Sequence, residues 1–523
     1  MISKKKRREL LSAFGKRKEG YFQMDSISSF AEKQPAHAEN PVINDRTWAD
    51  LDMDEVYMYL DRTSSAIGQQ LLYARLKGQS SFKSEEKWEA LVNEVHKDGP
   101  QKEEAIIALH SLHDSDAYLI PGLFQEPYLE KPKWYWAIQT MSVIGFLSIP
   151  AMVFIPKFWL LSFLILAINL ILHFWNKKNL MLYSRSMPFL LNLLSVSKRF
   201  RALYKKRDAE LDESITQIDQ LAGALTIFKL EKGLQSEIAQ IAEFFIELIK
   251  AYFLLEPITL FNTLKKLEER KMHIERLYIY VAQIDVALAT GVLRETLPQW
   301  CQPKYHDSNQ LALKAIYHPL IEAPIKNELS LNEKSLLLTG SNMSGKTTFI
   351  RTVGLSAICA QGLNTCFCES YRAPRLHVSS AIRISDELMS DKSYFQEEML
   401  VVKAMLEEST NGNRHLFLLD ELMKGTNTLE RVAAGKAILE GLANHDNLVM
   451  VATHDLELAD LLANRFDLYH FSEVIESDKI EFDYLLKPGK LTNTNAIRIL
   501  EINGYPQALT QEARMLVEKL KSK

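Results

Sequence analysis

The rhythm of apolar and polar positions changes three times along the chain. From Trp134 to Ile155 no charged side chain occurs over 22 residues, and from Phe158 to Trp175 none occurs over 18 more. A helix needs about 20 apolar residues to cross roughly 30 Å of hydrocarbon. Pro156-Lys157 between the two runs reads as a turn whose charge prefers water. Trp134, Tyr135, Trp136, Trp159 and Trp175 stand at the ends of the runs, where amphipathic rings favour a membrane interface. The pattern predicts a two-helix transmembrane hairpin over 134–175. On either side, 48–133 and 176–300 carry apolar residues at helical spacing and predict an all-α part. Within it, "DRTSSAIGQQLLYARLKG" (61–78) places Gly68 where another helix could approach closely. Between Tyr204 and Leu293 the single proline is Pro257, which predicts long helices of the kind that make levers. From about Cys301 the texture becomes short apolar runs alternating with helical segments, so 301–523 reads as an α/β domain.

Charge adds orientation and narrows the partners. Lys131 and Lys133 precede the hairpin, Lys177, Lys178 and Arg185 follow it, and only Lys157 lies at its tip. The positive-inside rule then puts both arms in the cytoplasm and anchors the protein in an inner or plasma membrane. Residues 1–20 hold eight lysines and arginines against Glu9 and Glu19, a net of +6. No apolar stretch of signal-peptide type follows them, and 1–47 reads as a basic, disordered tail that could meet anionic lipid or nucleic-acid phosphate. A net charge of −4 excludes a globally basic nucleic-acid coat. Six cations in ten residues, Lys198 to Arg207, still make a local candidate for phosphate or membrane contact, and a solvated helix face explains them equally. Four cysteines, Cys301, Cys359, Cys366 and Cys368, do not make a disulfide framework. With no second pair or histidine cluster beside it in the sequence, Cys366-Phe-Cys368 reads as reduced thiols rather than metal ligands.

The chemistry is concentrated in the last third. "KSLLLTG" reads as a buried strand, and "GSNMSGKT" follows it directly. Gly340, Gly345, Lys346 and Thr347 satisfy the pattern of a phosphate-binding loop. Glycines let the backbone curl so that N–H groups face a phosphate, and the helix that follows adds its positive dipole end. The loop residues Gly340, Ser341, Asn342, Met343, Ser344, Gly345, Lys346, Thr347 and Thr348 are therefore the candidate ATP cradle. Lys346 would reach the β- and γ-phosphates, and Thr347 would hold Mg²⁺. In "HLFLLDELMKGTN" an apolar strand ends at Asp420, a second Mg²⁺ ligand, followed by Glu421 to orient and polarise the attacking water. A third apolar run ends at Thr453-His454, and His454 could sense the γ-phosphate.

The succession GSNMSGKTT, SYFQEEM, LLDELMKGTNT and ATHDLEL resembles the DNA mismatch-repair MutS family of ABC-type ATPases. The likeness covers most of 317–523 and extends weakly to "LDRTSSAIGQQLLYARL" and "YVAQIDVALATGVLRE". It implies a P-loop NTPase fold, ATP hydrolysis and a homodimer in which each subunit completes the other's site. Ser393 matches the serine that reaches the partner's γ-phosphate. Ser341 and Ser344 stand where the family usually has proline and glycine, and Asp455 where an aromatic is usual. Fewer than 50 residues precede "WADLDMDEVYMYLDRT", and no aromatic-x-Glu wedge or clamp-like insertion is recognisable. The expectation is a membrane-anchored MutS-like ATPase that acts on DNA. The alternative is a membrane-tethered switch acting on a protein partner without DNA. An ABC transporter subunit is disfavoured, because two spans are few and no LSGGQ-type signature occurs.

Overall fold

The computed structural model describes residues 3–34, 42–80, 84–155, 158–179, 181–204, 208–229, 237–341, 343–383, 394–423, 426–476, 479–491, 496–502 and 504–521. The chain divides into two compact units. One comprises Met1–Pro35, Asp61–Ala74 and Glu86–Leu293, and the other Ala36–Leu60, Arg75–Glu85 and Arg294–Lys523.

The first unit is helical. Its two apolar helices, Tyr135–Phe154 and Phe158–Asn179, pack on each other as the hydrophobic pattern requires. Ser142 and Asn169 turn inward, where they would otherwise go unpaired. Ser142 Oγ donates to Phe253 O at 2.6 Å, and Asn169 Nδ2 donates to Tyr252 O at 2.6 Å. The stretch read as long helices is divided among several, from the short Ala209–Asp219 and Leu255–Glu268 to the 26-residue Lys271–Thr296. Pro257 sits in the first turn of its helix, where no intrahelical N–H is needed. The break before it is made by Leu254, at φ +49°. The segment read as a disordered tail contains the helices Lys4–Ala13 and Met24–Glu32. Ser3 Oγ caps the first, and Arg7 reaches Glu103 and Glu104 at 3.1 Å each.

Gly68 bears out the close approach expected of it. Asp285 is fully buried and accepts from the Ser64 and Ser65 N–H groups at 2.8 Å each and from Ser65 Oγ at 2.5 Å. A Cβ at position 68 would lie 2.2 Å from Asp285 Oδ2. Gly68→Ala must therefore push the carboxylate off its three donors, and a loss of about 1–3 kcal/mol is expected in chemical denaturation. Burial raises the Asp285 pKa to about 6, and its hydrogen bonds offset part of that rise. Its contribution to stability is thus fully present below the ordinary carboxylate range and declines as pH rises toward 6.

The second unit is built on a six-stranded sheet. Its strands run in the order Lys487–Pro488, Phe466–His470, Ser335–Thr339, Leu448–Ala452, His415–Asp420 and His377–Ala381. All pair in parallel except the short edge strand Lys487–Pro488. The central strands read LLLT, LFLL and LVMVA because helices cover both faces, as parallel sheets demand. A second sheet of four strands includes Pro303–Tyr305, Gln310–Ile316, Asn327–Asn332 and Ser370–Ala373. The helix Asp45–Asp50, assigned from sequence to the helical part, belongs to this unit. Asp50 is buried there and accepts from Ser380 Oγ at 2.7 Å and from the Ile382 and Arg383 N–H groups at 2.9 Å each.

Candidate functional site

Register brings the candidate residues to one edge of the large sheet. Leu338 and Asp420 each pair with Ala452, so the three central strands end level. The ladder continues one step beyond them. The Thr453 N–H donates to Leu338 O and the Glu421 N–H to Ala452 O, both at 2.9 Å. Loops leaving the carboxyl ends of parallel strands are where such folds bind ligands.

The phosphate loop leaves the first of these strands. Gly340 has φ +149° and Gly345 φ +103°. A Cβ on Gly340 would stand 2.7 Å from Phe471 O, so the curl needs glycine there. Lys346 opens the helix Lys346–Leu363, and its buried ammonium donates to Gly340 O and Ser341 O at 2.8 Å each. Ser341 Oγ is buried without a hydrogen-bond partner among the described residues, a donor available to a phosphate oxygen. Ser344, at the other serine departure, donates from Oγ to Ser341 O at 2.8 Å and steadies the loop. Met343 is exposed at the loop's tip, and Thr348 lines its inner wall.

The acidic pair meets this loop directly. Thr347 Oγ1 donates to Asp420 Oδ2 at 2.6 Å, so a hydroxyl and a carboxylate suited to a hard cation adjoin. His454 Nε2 lies 2.8 Å from Glu421 Oε1 and 3.4 Å from Lys346 Nζ. Glu421 and Met423 hold φ +53° and +61°, strained for residues with side chains. The Met423 N–H donates to Glu398 Oε1 at 2.6 Å, which fixes the strained turn. Glu398 lies in "SYFQEEM", but nothing in that string signals that it positions Glu421. Asp455, the departure beside His454, pairs with Arg431 at 2.6 Å.

Lys346, Thr347, Asp420, Glu421 and His454 thus form one constellation. Asn342 and Ser393 lie outside the described residues.

A cleft of about 1090 Å³ opens from this constellation. That is ample for a nucleoside triphosphate. Its far wall includes His318, Ile325, Phe471 and Tyr484, which sequence reasoning did not assign. Burial, then the nearby Arg351, lowers the His318 pKa to about 4, so its ring is neutral at pH 7. Only His318 had a signal, in "YHPLIE". Tyr484 comes from a segment more than a hundred residues beyond the loop, yet its ring would stand 3.3 Å from a Cβ on Gly345. The donors, the curled glycine backbone and the apolar far wall fit a nucleotide.

Comparison with known proteins agrees with this geometry. The family described as MutS domain V matches residues 336–521. A "DNA mismatch repair protein MutS" of Thermus thermophilus is 31% identical over 258 residues, covering 49% of this chain and 30% of that protein. The proteins of the same name from Lactobacillus delbrueckii subsp. bulgaricus and Aquifex pyrophilus are 31% and 32% identical over 280 and 232 residues. Those matches cover 50% and 42% of this chain, and 32% and 27% of the two relatives. The chain therefore spans about a third or less of the length of these curated relatives. The part of this chain that carries the phosphate loop and its two carboxylates, residues 336–521, is thus similar to MutS domain V.

Proposed function

We propose that the protein hydrolyses ATP to ADP and phosphate and is anchored in a membrane. The observation that carries the enzymatic reading is the contact of Thr347 with Asp420 beside Glu421, His454 and Lys346. Lys346 binds the terminal phosphates once its ammonium exchanges the loop carbonyls for phosphate oxygens. Thr347 and Asp420 would hold Mg²⁺, which when bound would supply positive charge beside the phosphates. Glu421 accepts the proton of the attacking water, and His454 orients the Glu421 carboxylate. The dimer expected from the family would add Ser393 of a second copy. Lys346→Ala removes the cation and is expected to weaken ATP binding at least tenfold in equilibrium titration, a loss of about 1.4 kcal/mol. Unchanged affinity would remove Lys346 from the phosphate site.

The membrane reading rests on the hairpin's outer surface. Trp136, Leu147, Phe154, Trp159, Leu160 and Phe163 are each at least 65% exposed. Contiguous apolar surface of this kind marks an interaction site in a water-soluble protein. Among the described residues two helices are long and apolar enough to cross a membrane, and the hairpin's second leg offers the shorter apolar stretch Trp159–Phe174. The window Tyr135–Met152 is 28% buried, whereas Lys271–Thr296 is 78% buried and reads as a core helix. The flanking lysines put both arms in the cytoplasm. Fractionation should place the intact chain in the membrane pellet through a carbonate wash, and a carboxy-terminal reporter should be cytoplasmic. Recovery in the soluble fraction would refute the anchor.

The load of the cycle is proposed as DNA, following the name of the relatives. One observation bears on the alternative of a protein partner without DNA. Lys198 and Arg201 pair with Asp219 and Asp212 at 2.6 and 2.5 Å, and Arg199 pairs with Glu104. Those three cations of the basic stretch are already compensated, while 205–207 lie outside the described residues. Titration of the detergent-purified protein with duplex DNA at several salt concentrations separates the readings. DNA action requires affinity that falls with salt and drops when the Lys198–Arg207 cations become alanine.

A further inference from the structure

The fold turns the Cys366-Phe-Cys368 pair into a cluster of three thiols. Cys301 and Cys366 form an antiparallel bridge, with N–H to O distances of 3.1 and 2.9 Å in the two directions. Reciprocal bonding of this kind sets the two Cα atoms about 5.5 Å apart. Cys368 lies two residues on, and its Sγ is 3.5 Å from Cys301 Sγ. A disulfide needs about 2.05 Å between sulfurs and Cα atoms roughly 4.4–6.8 Å apart. The Cys301 and Cys368 sulfurs, 3.5 Å apart, must therefore approach by about 1.5 Å for the bond to form. Access is unequal, because Cys366 and Cys368 are fully buried and Cys301 is half-buried. The Cys366 and Cys368 thiols donate toward the Cys301 sulfur and lower its pKa, whereas the contact with Cys301 raises that of Cys368. The reachable sulfur is thus also the one most readily present as thiolate, the nucleophilic form.

We propose that Cys301 and Cys368 form a reversible, peroxide-sensitive thiol–disulfide site. In the first step the Cys301 thiolate attacks one peroxide oxygen. The O–O bond breaks, the departing hydroxide takes a proton to become water, and Cys301 is oxidised to a sulfenic acid. In the second, the Cys368 sulfur attacks the Cys301 sulfur and the S–O bond breaks. The released hydroxyl leaves as water with the Cys368 thiol proton. Two thiols and one hydrogen peroxide give one disulfide and two waters, and a dithiol reverses the change.

The position gives the bond a structural consequence. Cys301 begins the chain's path into the four-stranded sheet, and Cys368 ends the turn after the helix that carries Lys346. That turn is already gripped from the same side. Arg294 Nε donates to Thr365 Oγ1 at 3.1 Å and Nη2 to Asn364 O at 3.0 Å, with the Trp300 ring 4.3 Å from the guanidinium carbon. A 301–368 disulfide makes this clamp covalent and encloses the whole phosphate loop in a covalent ring.

The test treats the reduced, folded full chain with equimolar hydrogen peroxide at pH 7, followed by alkylation and peptide mass spectrometry. The expected product is a Cys301–Cys368 cross-link that has lost two hydrogens and is reversed by dithiothreitol, with Cys359 still reduced. Cys368→Ser combined with Cys366→Ser, which removes both neighbouring thiols, should instead leave a dimedone-trappable sulfenic acid on Cys301. Cys301→Ser, checked for an unchanged melting temperature, should leave Cys366 and Cys368 unmodified until the protein is unfolded. Free Cys301 after peroxide, a Cys366–Cys368 bond with Cys301 reduced, or intermolecular disulfides alone would each overturn the proposal.

Discussion

Glu421→Gln is expected to leave ATP binding within about twofold of wild type and to slow hydrolysis by about 10²- to 10⁴-fold, the usual worth of a positioned general base. The substitution isolates one property. Glutamine keeps the shape of the side chain and an acceptor oxygen 2.8 Å from His454 Nε2, so the turn held by Glu398 need not move. What it loses is the negative charge that takes a proton from water. Lys346, Thr347 and Asp420 are untouched, which is why binding survives. Single-turnover hydrolysis beside equilibrium nucleotide binding reads the two effects separately. Hydrolysis within threefold of wild type would show that another group activates the water. A parallel fall in binding would show that Glu421 holds the nucleotide instead. Glu398→Gln is a useful companion, because Glu398 reaches the turn that carries Glu421 through the Met423 N–H. It should lower the hydrolysis rate less, with ATP affinity unchanged, and its pH profile should keep the wild-type shape.

The sequence revealed the parts of this site that are local. Gly340 to Thr348 are contiguous, and their curl follows from two glycines and a strand-to-helix junction. Asp420, Glu421 and His454 could be read because each ends an apolar strand, and parallel strands put such ends on one edge. Contacts made across the chain were not legible. Tyr484 and His318 face the cleft because of sheet topology, and Cys301 meets Cys368 only when two strands pair. The helical stretch is broken before Leu255–Glu268 by Leu254 in a left-handed conformation, where the nearest sequence signal is Pro257 in the first turn that follows. The basic tail was read from its charge alone. Glu103 and Glu104, nearly a hundred residues away, pair with its Arg7, and this partnership leaves no trace in composition. The same blindness affected Lys198 and Arg201, whose acidic partners follow at helical return distances.

Asp50→Ala is the substitution expected to cost most in stability, on the order of 2–4 kcal/mol in urea unfolding. Asp50 is 1% exposed and its oxygens face three donors: Ser380 Oγ, the Ile382 N–H and the Arg383 N–H. Removing the carboxylate leaves all three without this partner, at about 1–3 kcal/mol for the buried Ser380 hydroxyl and less for the Ile382 and Arg383 N–H groups, which lie nearer the surface. Asp50→Asn should lose less, about 1–3 kcal/mol, because one amide oxygen still accepts while the amide nitrogen opposes a donor. Hydrogen exchange locates the effect, since the Ile382 and Arg383 amides are protected through Asp50 and should exchange fastest in the alanine variant. Protection unchanged at those two amides would sink the argument whatever the global stability did. The loss should reach the nucleotide site through the adjacent strand. Ala381 pairs with Leu419, the residue before Asp420, so freeing the end of its strand loosens the carboxylate's support. Asp52 makes the same connection from the other side. It accepts from Arg383 at 2.6 Å and from Arg351 at 2.9 Å, and Arg351 lies on the helix that Lys346 begins. A short acidic turn near the start of the chain therefore holds both the strand beside Asp420 and the helix behind the phosphate loop, and ATP turnover in Asp50→Ala should fall together with its stability.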